Sequence, residues 1–525
     1  MNKALSIIQK AQSKGVKLEL EEGSLVLKSE NEHIDDSLLL DIKLNKELII
    51  EHFKKFEFEN HKGLDEDAIQ PFDRELIKKV PLSFNQDRLW FLDQLDGTQA
   101  YHIPVVLELE GDLDINAVEE TLRIIVDRHE ILRTIIYQEE GIGYQKTISS
   151  TNWLLDKITI SSEINVENEI NKFINVPFDL SKDFMLRSCL YNLGNKKYVL
   201  ACVLHHIASD GWSEGILRNE FATLYSALQA GKEITLPNLN LQYADYAVWQ
   251  REYIEGEVLD NQLSYWENKL KGVGTLELPL DAVRPSVPSS EGANTSLDLD
   301  EKLSKSLKAL CQQEGVTPFM LLLTVFKILL SRYSGQEDIC VGTPIANRTQ
   351  SDLEGMIGFF VNTLALRSDL SGNLSFKELL NKVKTTTLEG YDNQLAPFEK
   401  IVDSVITTRD MSISPLFQVM FVLQNTPDME GEEGEALDLG GVEISGYEFD
   451  IVTSKFDLTM SISEGNSKFS IGVEYNTALF KKGTIEQMLS HYQELLKGIV
   501  NDVTQSIGDI PMLQASEKNQ LLKDF

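Results

Sequence analysis

The chain of 525 residues is poor in cysteine, in basic side chains and in long apolar runs, and each shortage excludes a class of protein. Four cysteines without a C-x-x-C pair exclude a small disulfide-rich scaffold, so reduced thiols are expected. A formal charge of −33 excludes a broad nucleic-acid or membrane-surface footprint, because such a polyanion repels phosphate groups. Neither nucleic acid nor a membrane is therefore expected among its partners.

The most apolar run of the chain covers residues 320–330, which are too few to span a bilayer. The run includes Lys327, which favours a buried amphipathic helix. The N-terminal segment lacks the uninterrupted apolar core and the small-residue cleavage site of a secretory signal. These features predict a cytoplasmic protein without a transmembrane helix.

Periodicity separates a small N-terminal unit from the rest of the chain. Residues 1–57 show a helical stripe, then apolar and polar residues that alternate on either side of Glu22-Gly23, then a second helical pattern. This order predicts a helix, a hairpin and further helices. Residues 58–80 are polar and suit a linker. A unit of this size buries little apolar surface, so dimerisation or docking would stabilise it.

The main body alternates helical and strand-like segments, which predicts mixed α/β (α+β) layers. We expect a first lobe over residues 81–275, a crossover rich in proline and serine over residues 276–293, and a second lobe over residues 294–515. The two lobes resemble each other in their content of helices and strands. Residues 516–525 are expected to begin a linker to a following domain.

A pair of adjacent histidines, His205 and His206, ends the apolar run YVLACVL and is followed closely by Asp210 and Gly211. Successive side chains on a strand point to opposite faces, so only one of the two imidazoles can face a cleft. A rigid strand that delivers an imidazole to a loop is suited to acid/base chemistry. Taken alone, such a pair is more often formed by two structural histidines. No other His or Cys stands nearby at metal-ligand spacing, so no metal site is expected.

His205, His206, Asp210 and Gly211 reproduce the pattern H-H-x-x-x-D-G, which resembles the core motif of condensation domains of nonribosomal peptide synthetases. Further segments resemble the other signatures of that family, in the same order along the chain. The seven are SFNQDRLWFLDQL (83–95), RHEILRT (128–134), HHIASDGWS (205–213), YADYAVW (243–249), IGFFVNTLALR (357–367), NQLAPFE (393–399) and RDMSISPL (409–416). In detail they resemble the subtype that joins an L-configured donor residue to an L-configured acceptor.

The resemblance implies two chloramphenicol-acetyltransferase-like lobes in a V-shaped pseudo-dimer, with a tunnel between them. Upstream and downstream peptidyl carrier domains would each bring a thioester on 4'-phosphopantetheine, and the chain itself would bind no cofactor covalently. The amine of the acceptor aminoacyl thioester would attack the donor acyl or peptidyl thioester and form a peptide bond. The expected function is therefore that of an amide-forming acyltransferase.

The same resemblance implies roles for individual residues. His206 would be the catalytic residue that faces the tunnel, His205 would support its loop, and Gly211 would let backbone approach the reaction centre. Asp210 would be structural and would pair with Arg284, which matches the arginine of the family's crossover motif. Ala282 stands where the family usually has a second arginine. The substrate-binding residues are not identified by the sequence.

Residues 1–57 resemble the small N-terminal docking domains of megasynthase subunits in their order of helix, hairpin and helices. The resemblance implies that the hairpin edge accepts the C-terminal peptide of an upstream synthetase subunit as an added strand. The residues expected to contact that peptide are Lys17, Leu25, Val26, Leu27 and Lys28. The final segment, IPMLQASEKNQLLKDF, resembles the lead-in to an adenylation domain, so an adjacent adenylation domain is a further expected partner.

Two other functions fit part of the sequence. A stand-alone acyltransferase that uses coenzyme A shares the pattern H-x-x-x-D-G, although the order of the seven motifs and the docking unit favour a condensation domain. A non-catalytic recruitment domain with the same fold is the other alternative, but such relatives usually lose one of the two histidines. The chain has no carrier motif of the G-G-x-S kind and no adenylation motif, so it would depend on partners to load its substrates.

Overall fold

The structure is a computed structural model, and it describes residues 16–21, 24–29, 42, 68–161, 165–234, 236–287, 289–406, 413–424, 437–447, 453–465 and 468–523. Two compact units divide the chain, Met1–Gln70 and Pro71–Phe525.

The N-terminal unit contains an antiparallel hairpin of strands β1 (Val16–Glu21) and β2 (Ser24–Ser29). The strands pair from Val16 opposite Ser29 to Glu21 opposite Ser24, and Lys17 lies opposite Lys28. The hairpin predicted from the alternation on either side of Glu22-Gly23 is therefore confirmed. The helices predicted before and after it fall almost entirely outside the described residues.

The first lobe of the large unit is built on a mixed sheet, whose own strands are β4 (His102–Gly111), β7 (Asp156–Thr159), β8 (Leu186–Gly194) and β9 (Lys197–His205). With β14 (Leu437–Asp438) and β15 (Val442–Gly446) the strand order is β14-β15-β4-β9-β8-β7. A smaller sheet joins β3 (Val80–Pro81), β6 (Ile142–Thr147) and β5 (Thr134–Glu139). The helices are α1 (Phe84–Asp96), α2 (Ile115–Arg128), α3 (Val166–Ile174), α4 (Gly211–Gln229), α5 (Tyr243–Tyr253) and α6 (Gly256–Leu270).

The second lobe is built on a six-stranded sheet. Its strands are β10 (Gly292–Asp298), β11 (Asp338–Ile345), β12 (Asn362–Asp369), β13 (Val419–Gln424), β16 (Leu458–Glu464) and β17 (Phe469–Asn476). They lie in the order β10-β17-β16-β13-β11-β12. The helices are α7 (Glu301–Glu314), α8 (Pro318–Ser334), α9 (Phe376–Asp392), α10 (Phe398–Val405), α11 (Lys482–Asn501) and α12 (Ala515–Lys523). The expected mixed α/β class is confirmed.

The second half of the sequence contributes chain to the first sheet. Strands β14 and β15 belong to that half, but β15 pairs with β4 of the first lobe. Gly111 permits this pairing, because a Cβ there would lie 2.3 Å from the carbonyl oxygen of Gly441. The segment expected to form the second lobe, residues 294–515, is therefore continuous in sequence, but its strands β14 and β15 belong to the sheet of the first lobe.

Helix α8 is the centre of the second lobe, and residues 320–330 are all buried in it. The prediction of a buried helix is confirmed, but its amphipathic reading is wrong, because Lys327 is buried as well. The Nζ of Lys327 donates to the carbonyl oxygen of Leu366 and to Ser368 Oγ, both at 2.7 Å. Among the described residues no single helix is long and apolar enough to cross a membrane, although α7 and α8, bent by 106°, pass that test as a pair.

Candidate active site

His206 lies in the loop between β9 and α4, where the strand ends at His205 and a short 3-10 turn, His206–Ala208, leads to the helix. Its side chain is partly exposed, whereas that of His205 is buried, as the alternation of side chains along a strand predicts. The ring of His206 lies 4.6 Å from the ring of Phe359 and 6.3 Å from that of Tyr101, measured between centroids. Tyr101 belongs to the first lobe and Phe359 to the second. The imidazole therefore lies where the two lobes meet.

The surroundings of His206 favour a neutral imidazole. Burial and then the charge of Lys455 lower the pKa of His206, while Asp210 opposes this shift. The backbone groups of His206 and Ser209 also oppose the lowering of the pKa of the ring. The Nδ1 atom is buried and has no hydrogen-bond partner among the described residues. The accessible part of the ring is therefore its other edge, which carries Nε2. A neutral ring with an accessible nitrogen can accept a proton from a bound substrate.

His205 is enclosed by the first lobe. Its Nε2 lies 2.8 Å from Thr98 Oγ1, which donates in turn to Asp93 Oδ1 at 2.8 Å. Its Nδ1 accepts from the backbone N–H of Ile207 at 3.1 Å, so the proton is assigned to Nε2. Burial, with a contribution from His102, lowers the pKa of His205 to about 3. This geometry ties the end of β9 to the turn that carries His206.

Asp210 caps helix α4 and is fully buried. Its Oδ1 accepts from the backbone N–H of Ser213 at 2.9 Å and from Ser213 Oγ at 2.7 Å, and its Oδ2 accepts from the backbone N–H of Phe360 at 3.1 Å. Its ion-pair partner is Arg348, whose guanidinium donates to Oδ1 at 3.1 Å. Because Phe360 and Arg348 belong to the second lobe, the carboxylate joins the two lobes.

The predicted pairing of Asp210 with Arg284 is wrong. Arg284 makes a two-pronged ion pair with Asp457, one bond of which measures 2.8 Å. Asp457 lies directly before β16, next to the crossover that carries Arg284. Asp210 instead meets an arginine from the loop after β11. Arg284 and Arg348 offer the same chemistry to the two largely buried carboxylates of Asp210 and Asp457. The sequence alone does not say which pairs form.

Gly211 is the first residue of α4 and is exposed. A Cβ at this position would meet no heavy atom of the chain within 4 Å, and its backbone φ is not positive. Neither internal crowding nor a left-handed backbone therefore requires glycine here. Open space beside the start of α4 is compatible with the predicted role of Gly211, which is to leave room at the reaction centre.

One stretch of the second lobe, residues 354–361, is hydrogen-bonded along its backbone to side chains of the first lobe; we call it the interlobe segment. Trp212 Nε1 donates to the Glu354 carbonyl at 2.9 Å, and the N–H of Gly358 donates to Ser213 Oγ at 3.1 Å. His129 Nδ1 accepts from the N–H of Ile357 at 3.4 Å.

The far end of the interlobe segment is held in the same way. Tyr243 Oη donates to the Phe359 carbonyl at 2.8 Å, and Asn85 Nδ2 donates to the Val361 carbonyl at 2.7 Å. The neighbouring Gln86 reaches the Ile207 carbonyl in the His206 loop at 3.4 Å. Side chains from the first four of the seven predicted motifs therefore form hydrogen bonds with the backbone at the start of the fifth motif, IGFFVNTLALR, and just before it. Their common result is to hold Phe359 against His206.

A cleft of about 510 Å³ opens between α1 of the first lobe and α10 of the second. The apolar part of its lining includes Phe84, Phe91 and Phe398, and Arg88 pairs with Glu399 across it at 2.7 Å. The side chain of Phe91 is 60% exposed. The same helix α1 carries Asn85 and Gln86, so the cleft adjoins the residues that hold the His206 loop.

The family model described as "Condensation domain" matches residues 77–522, which is most of the chain. The chain belongs to the condensation domain family. This finding confirms the family predicted from the H-H-x-x-x-D-G pattern and the six other motifs. It also confirms the enzyme class, because condensation domains are amide-forming acyltransferases that act on substrates carried by phosphopantetheine.

The condensation domain is similar to parts of long synthetases. It is 44% identical over 466 residues to one component of the linear gramicidin synthase of Brevibacillus parabrevis, covering 87% of this chain and 9% of that protein. It is 42% identical over 477 residues to another component of the same synthase, covering 89% of this chain and 9% of the relative. The chain therefore spans about a tenth of the length of these curated relatives.

Solved structures share the fold of this condensation domain. The X-domain from teicoplanin biosynthesis superposes with a TM-score of 0.77 at 27% identity, covering 85% of this chain and all of that one. A four-domain nonribosomal peptide synthetase bound to AMP and glycine superposes with a TM-score of 0.75 at 22% identity, covering 84% of this chain and 34% of that one. These relatives confirm the expected chloramphenicol-acetyltransferase-like architecture.

Two residues of the condensation domain site were not predicted from the sequence. Arg348 was missed because it stands outside the seven motifs, although an arginine ten positions before the glycine of IGFFVN was the available signal. Lys455 was missed because it lies near His206 only through the fold. The first four residues of the motif RDMSISPL fall outside the described part of the chain. No group of three or more His, Cys, Asp and Glu side chains suited to a metal occurs among the described residues.

Proposed function

We propose that this condensation domain forms a peptide bond between two carrier-bound thioesters, with His206 as its catalytic residue. The observation that carries the proposal is the placement of His206: a neutral, partly exposed imidazole at the contact of two lobes, fixed by buried side chains on both sides. Such a site can hold two substrates that enter from different directions. The fixed geometry contributes to the rate because the reacting groups meet in one orientation.

The proposed step starts with the acceptor amine. Its nitrogen attacks the carbonyl carbon of the donor thioester, and His206 Nε2 takes a proton from the amine as the C–N bond forms. The tetrahedral intermediate then expels the sulfur of the donor phosphopantetheine, which takes the proton held by His206 and leaves as a thiol. Because an α-amine titrates near 7.7 to 8.0, part of it is already neutral at pH 7, so His206 needs to position it and accept a single proton.

The partners follow from this chemistry. We infer that upstream and downstream peptidyl carrier domains bring the two thioesters, and that the cleft between α1 and α10 is one entrance to the site. Its exposed Phe91 offers an apolar contact to a carrier domain. The proposal also includes an adjacent adenylation domain and the subtype that joins an L-configured donor to an L-configured acceptor. It further includes a cytoplasmic location, with cysteines that are not bridged.

We also propose that the hairpin of β1 and β2 docks the C-terminal peptide of an upstream synthetase protein. Within the described part of the chain the two strands pair only with each other, so each has an outer edge for an added strand. Lys17 and Lys28 stand at opposed positions in the register of the two strands, and lysines at these positions suit an acidic peptide. Leu25, Val26 and Leu27 lie on β2, the strand that would contribute backbone and apolar contacts.

The test is a condensation assay with purified carriers that have been loaded with amino acids. The wild-type chain should give a dipeptidyl product on the acceptor carrier, seen by intact mass. His206→Ala should lower the rate at least about 100-fold, since general-base catalysis contributes about 10²–10⁴-fold. His491→Gln is the matched control, because His491 lies on α11 and bonds Tyr333 and Glu517 away from the site.

The same assay separates the alternatives. A folded His206→Ala variant that condenses within about threefold of the wild-type rate contradicts the proposal. Activity with a soluble acyl-CoA in the absence of carriers would instead support the stand-alone acyltransferase. No product from the wild type with several carrier pairs would support the recruitment domain. Removal of residues 1–57 should slow condensation only when the donor carrier is followed by the native C-terminal segment of its own protein.

A further inference from the structure

Lys455 of the second lobe reaches the His206 site of the first. It lies in the loop between β15 and β16, and its Nζ stands 4.7 Å from the centroid of the Tyr101 ring. That ring lies 6.3 Å from the ring of His206. The side chain of Lys455 is exposed. An ammonium above an aromatic face is held there by the ring quadrupole, so Tyr101 has Lys455 of the second lobe and His206 of the first lobe as neighbours.

The loop that carries Lys455 is braced from several sides. Arg284 pairs with Asp457, and the Asp457 N–H donates to the Gln418 carbonyl at 3.1 Å. The Ser454 N–H donates to the Ser290 carbonyl at 2.8 Å. A Cβ at Gly292 would lie 2.6 Å from the carbonyl carbon of Thr453, so the crossover packs directly on this loop. These contacts fix the position of Lys455 and give Arg284 a purpose that the sequence did not indicate.

The charges around Lys455 leave its ammonium without a close counterion. Its Nζ forms no ion pair with any carboxylate in the described part of the chain. The protein that surrounds the site lowers the pKa of Lys455 even though the side chain is accessible to solvent, while Glu474 opposes the shift and Arg88 adds to it. The side chain stays mostly protonated at pH 7. His206 is faced by this charge and by Asp210, whose own charge is compensated by Arg348.

We propose that Lys455 is a positioning residue of the condensation site, whose unpaired ammonium disfavours a second positive charge on His206 and favours negative charge on the reacting carbonyl oxygen. This inference rests on the proposed function. When the amine attacks, the carbonyl oxygen of the donor thioester becomes anionic, and a fixed cation nearby stabilises that charge. The same cation keeps His206 neutral before the reaction and makes the imidazolium that forms during it a stronger acid, which favours transfer of the proton to the departing sulfur.

The first experiment measures His206 directly and needs no substrate. The chain is labelled at histidine Cε1, and the His206 signal, assigned from its loss in His206→Ala, is followed by NMR against pH. Lys455→Met should raise the pKa of His206 by about 1, because the positive charge that lowers it is removed. Lys455→Arg should leave it near the wild-type value. An unchanged His206 titration in folded Lys455→Met overturns the inference.

The matched control is Lys79→Met. Lys79 also stands over a tyrosine, 5.6 Å from the ring of Tyr144, but it pairs with Glu139 on the surface of the first lobe. Its removal should leave the titration of His206 unchanged. A circular dichroism melt checks the fold of each variant, and Lys455→Gln replaces Lys455→Met if the latter unfolds.

The second experiment is the condensation rate against pH with loaded carriers. Lys455→Met should be about tenfold slower at pH 7, because the anionic carbonyl oxygen loses its nearby cation, while the acidic limb of the profile, which follows the titration of the acceptor amine, should stay in place. Lys455→Arg should restore most of the rate, and Lys79→Met should match the wild type. A Lys455→Met rate equal to that of the wild type contradicts the inference. If the wild type has no activity, the proposed function is refuted instead. The NMR titration then still tests whether Lys455 acts on His206.

Discussion

His205 and Asp210, the two titratable side chains of the motif beside His206, each have defined partners, which separates residues that support the site from the one that acts in it. His205 is held by Thr98 and Ile207, and Asp210 by Arg348 and the N–H groups of α4 and the interlobe segment. Of these side chains, His206 is the one with an accessible ring nitrogen. Both carboxylate oxygens of Asp210 accept hydrogen bonds from within the protein, so Asp210 supports the site and does not face the substrate.

The ion pair between Asp210 and Arg348 can be tested against the pairing predicted from the sequence. The side chain of Arg348 is 2% exposed, so Asp210→Asn leaves a buried guanidinium without its counterion. Removing one partner of a buried pair costs about 3–5 kcal/mol, which corresponds to a melting temperature lower by about 5–10 °C. Calorimetry of Asp210→Asn, Arg348→Met and the double variant should show that the two losses are far from additive.

Arg284→Met is the control for this cycle. Because Arg284 pairs with Asp457, its effect should add to that of Asp210→Asn and should be non-additive only with Asp457→Asn. Coupling between positions 210 and 284, with none between 210 and 348, would contradict the structure.

At the scale of elements, helix α8 buries the side chain of Lys327, although the sequence pattern predicts an amphipathic helix here. Burial lowers the pKa of Lys327 to about 7, and the nearby Cys340 opposes the shift. Two hydrogen bonds to β12 satisfy the side chain, but no carboxylate meets it among the described residues. The lysine therefore makes the core of the second lobe sensitive to pH.

The direction of this sensitivity follows from the two states. The pKa of Lys327 is about 7 when folded, against 10.5 when exposed, so the unfolded chain binds more protons between these values. The destabilisation is complete below pH 7 and disappears as the pH rises towards 10.5. Lys327→Met should therefore raise the melting temperature at pH 6 by about 3 °C or more, with a smaller gain or a loss at pH 9.

The control for Lys327 is Lys305→Met on the neighbouring helix α7. The side chain of Lys305 is 70% exposed and pairs with Glu301, so its replacement should have nearly the same small effect at both pH values. Equal gains for Lys327→Met at pH 6 and pH 9 would show that the buried charge does not destabilise the lobe.

Elements formed by local patterns were predictable from the sequence, and pairings between distant segments were not. The apolar run YVLACVL was sufficient to predict β9, and the alternation of side chains along a strand was sufficient to predict the different exposure of His205 and His206. The partner of Asp210 was not predictable, because Arg348 lies 138 positions away and Arg284 offers the same chemistry. The addition of β15 to the first sheet and the approach of Lys455 to His206 depend on how the lobes meet, which no local periodicity encodes.

At the scale of the whole molecule, the reaction site depends on the alignment of two lobes. The first lobe supplies His206 and the second supplies Phe359 and Lys455, so a shift between the lobes changes the site without unfolding either. The interlobe segment sets this alignment, because side chains from α1, α4, α5 and the end of α2 bond its backbone. This arrangement explains why so many of the family's motifs meet there.

Tyr243→Phe tests the alignment with the loss of one oxygen atom. Tyr243 Oη bonds the Phe359 carbonyl and Ser83 Oγ, both at 2.8 Å, so its removal loosens the segment that holds Phe359 against His206. A net hydrogen bond contributes about 0.5–1.5 kcal/mol, so amide exchange in residues 354–361 should accelerate about 2- to 10-fold, and condensation should slow by a similar factor. Tyr246→Phe is the matched control, since Tyr246 Oη accepts from Gln250 of its own helix, at 2.9 Å. Equal exchange and equal rates in the two variants would mean that the interlobe segment does not set the geometry at His206, and that the lobes are aligned elsewhere.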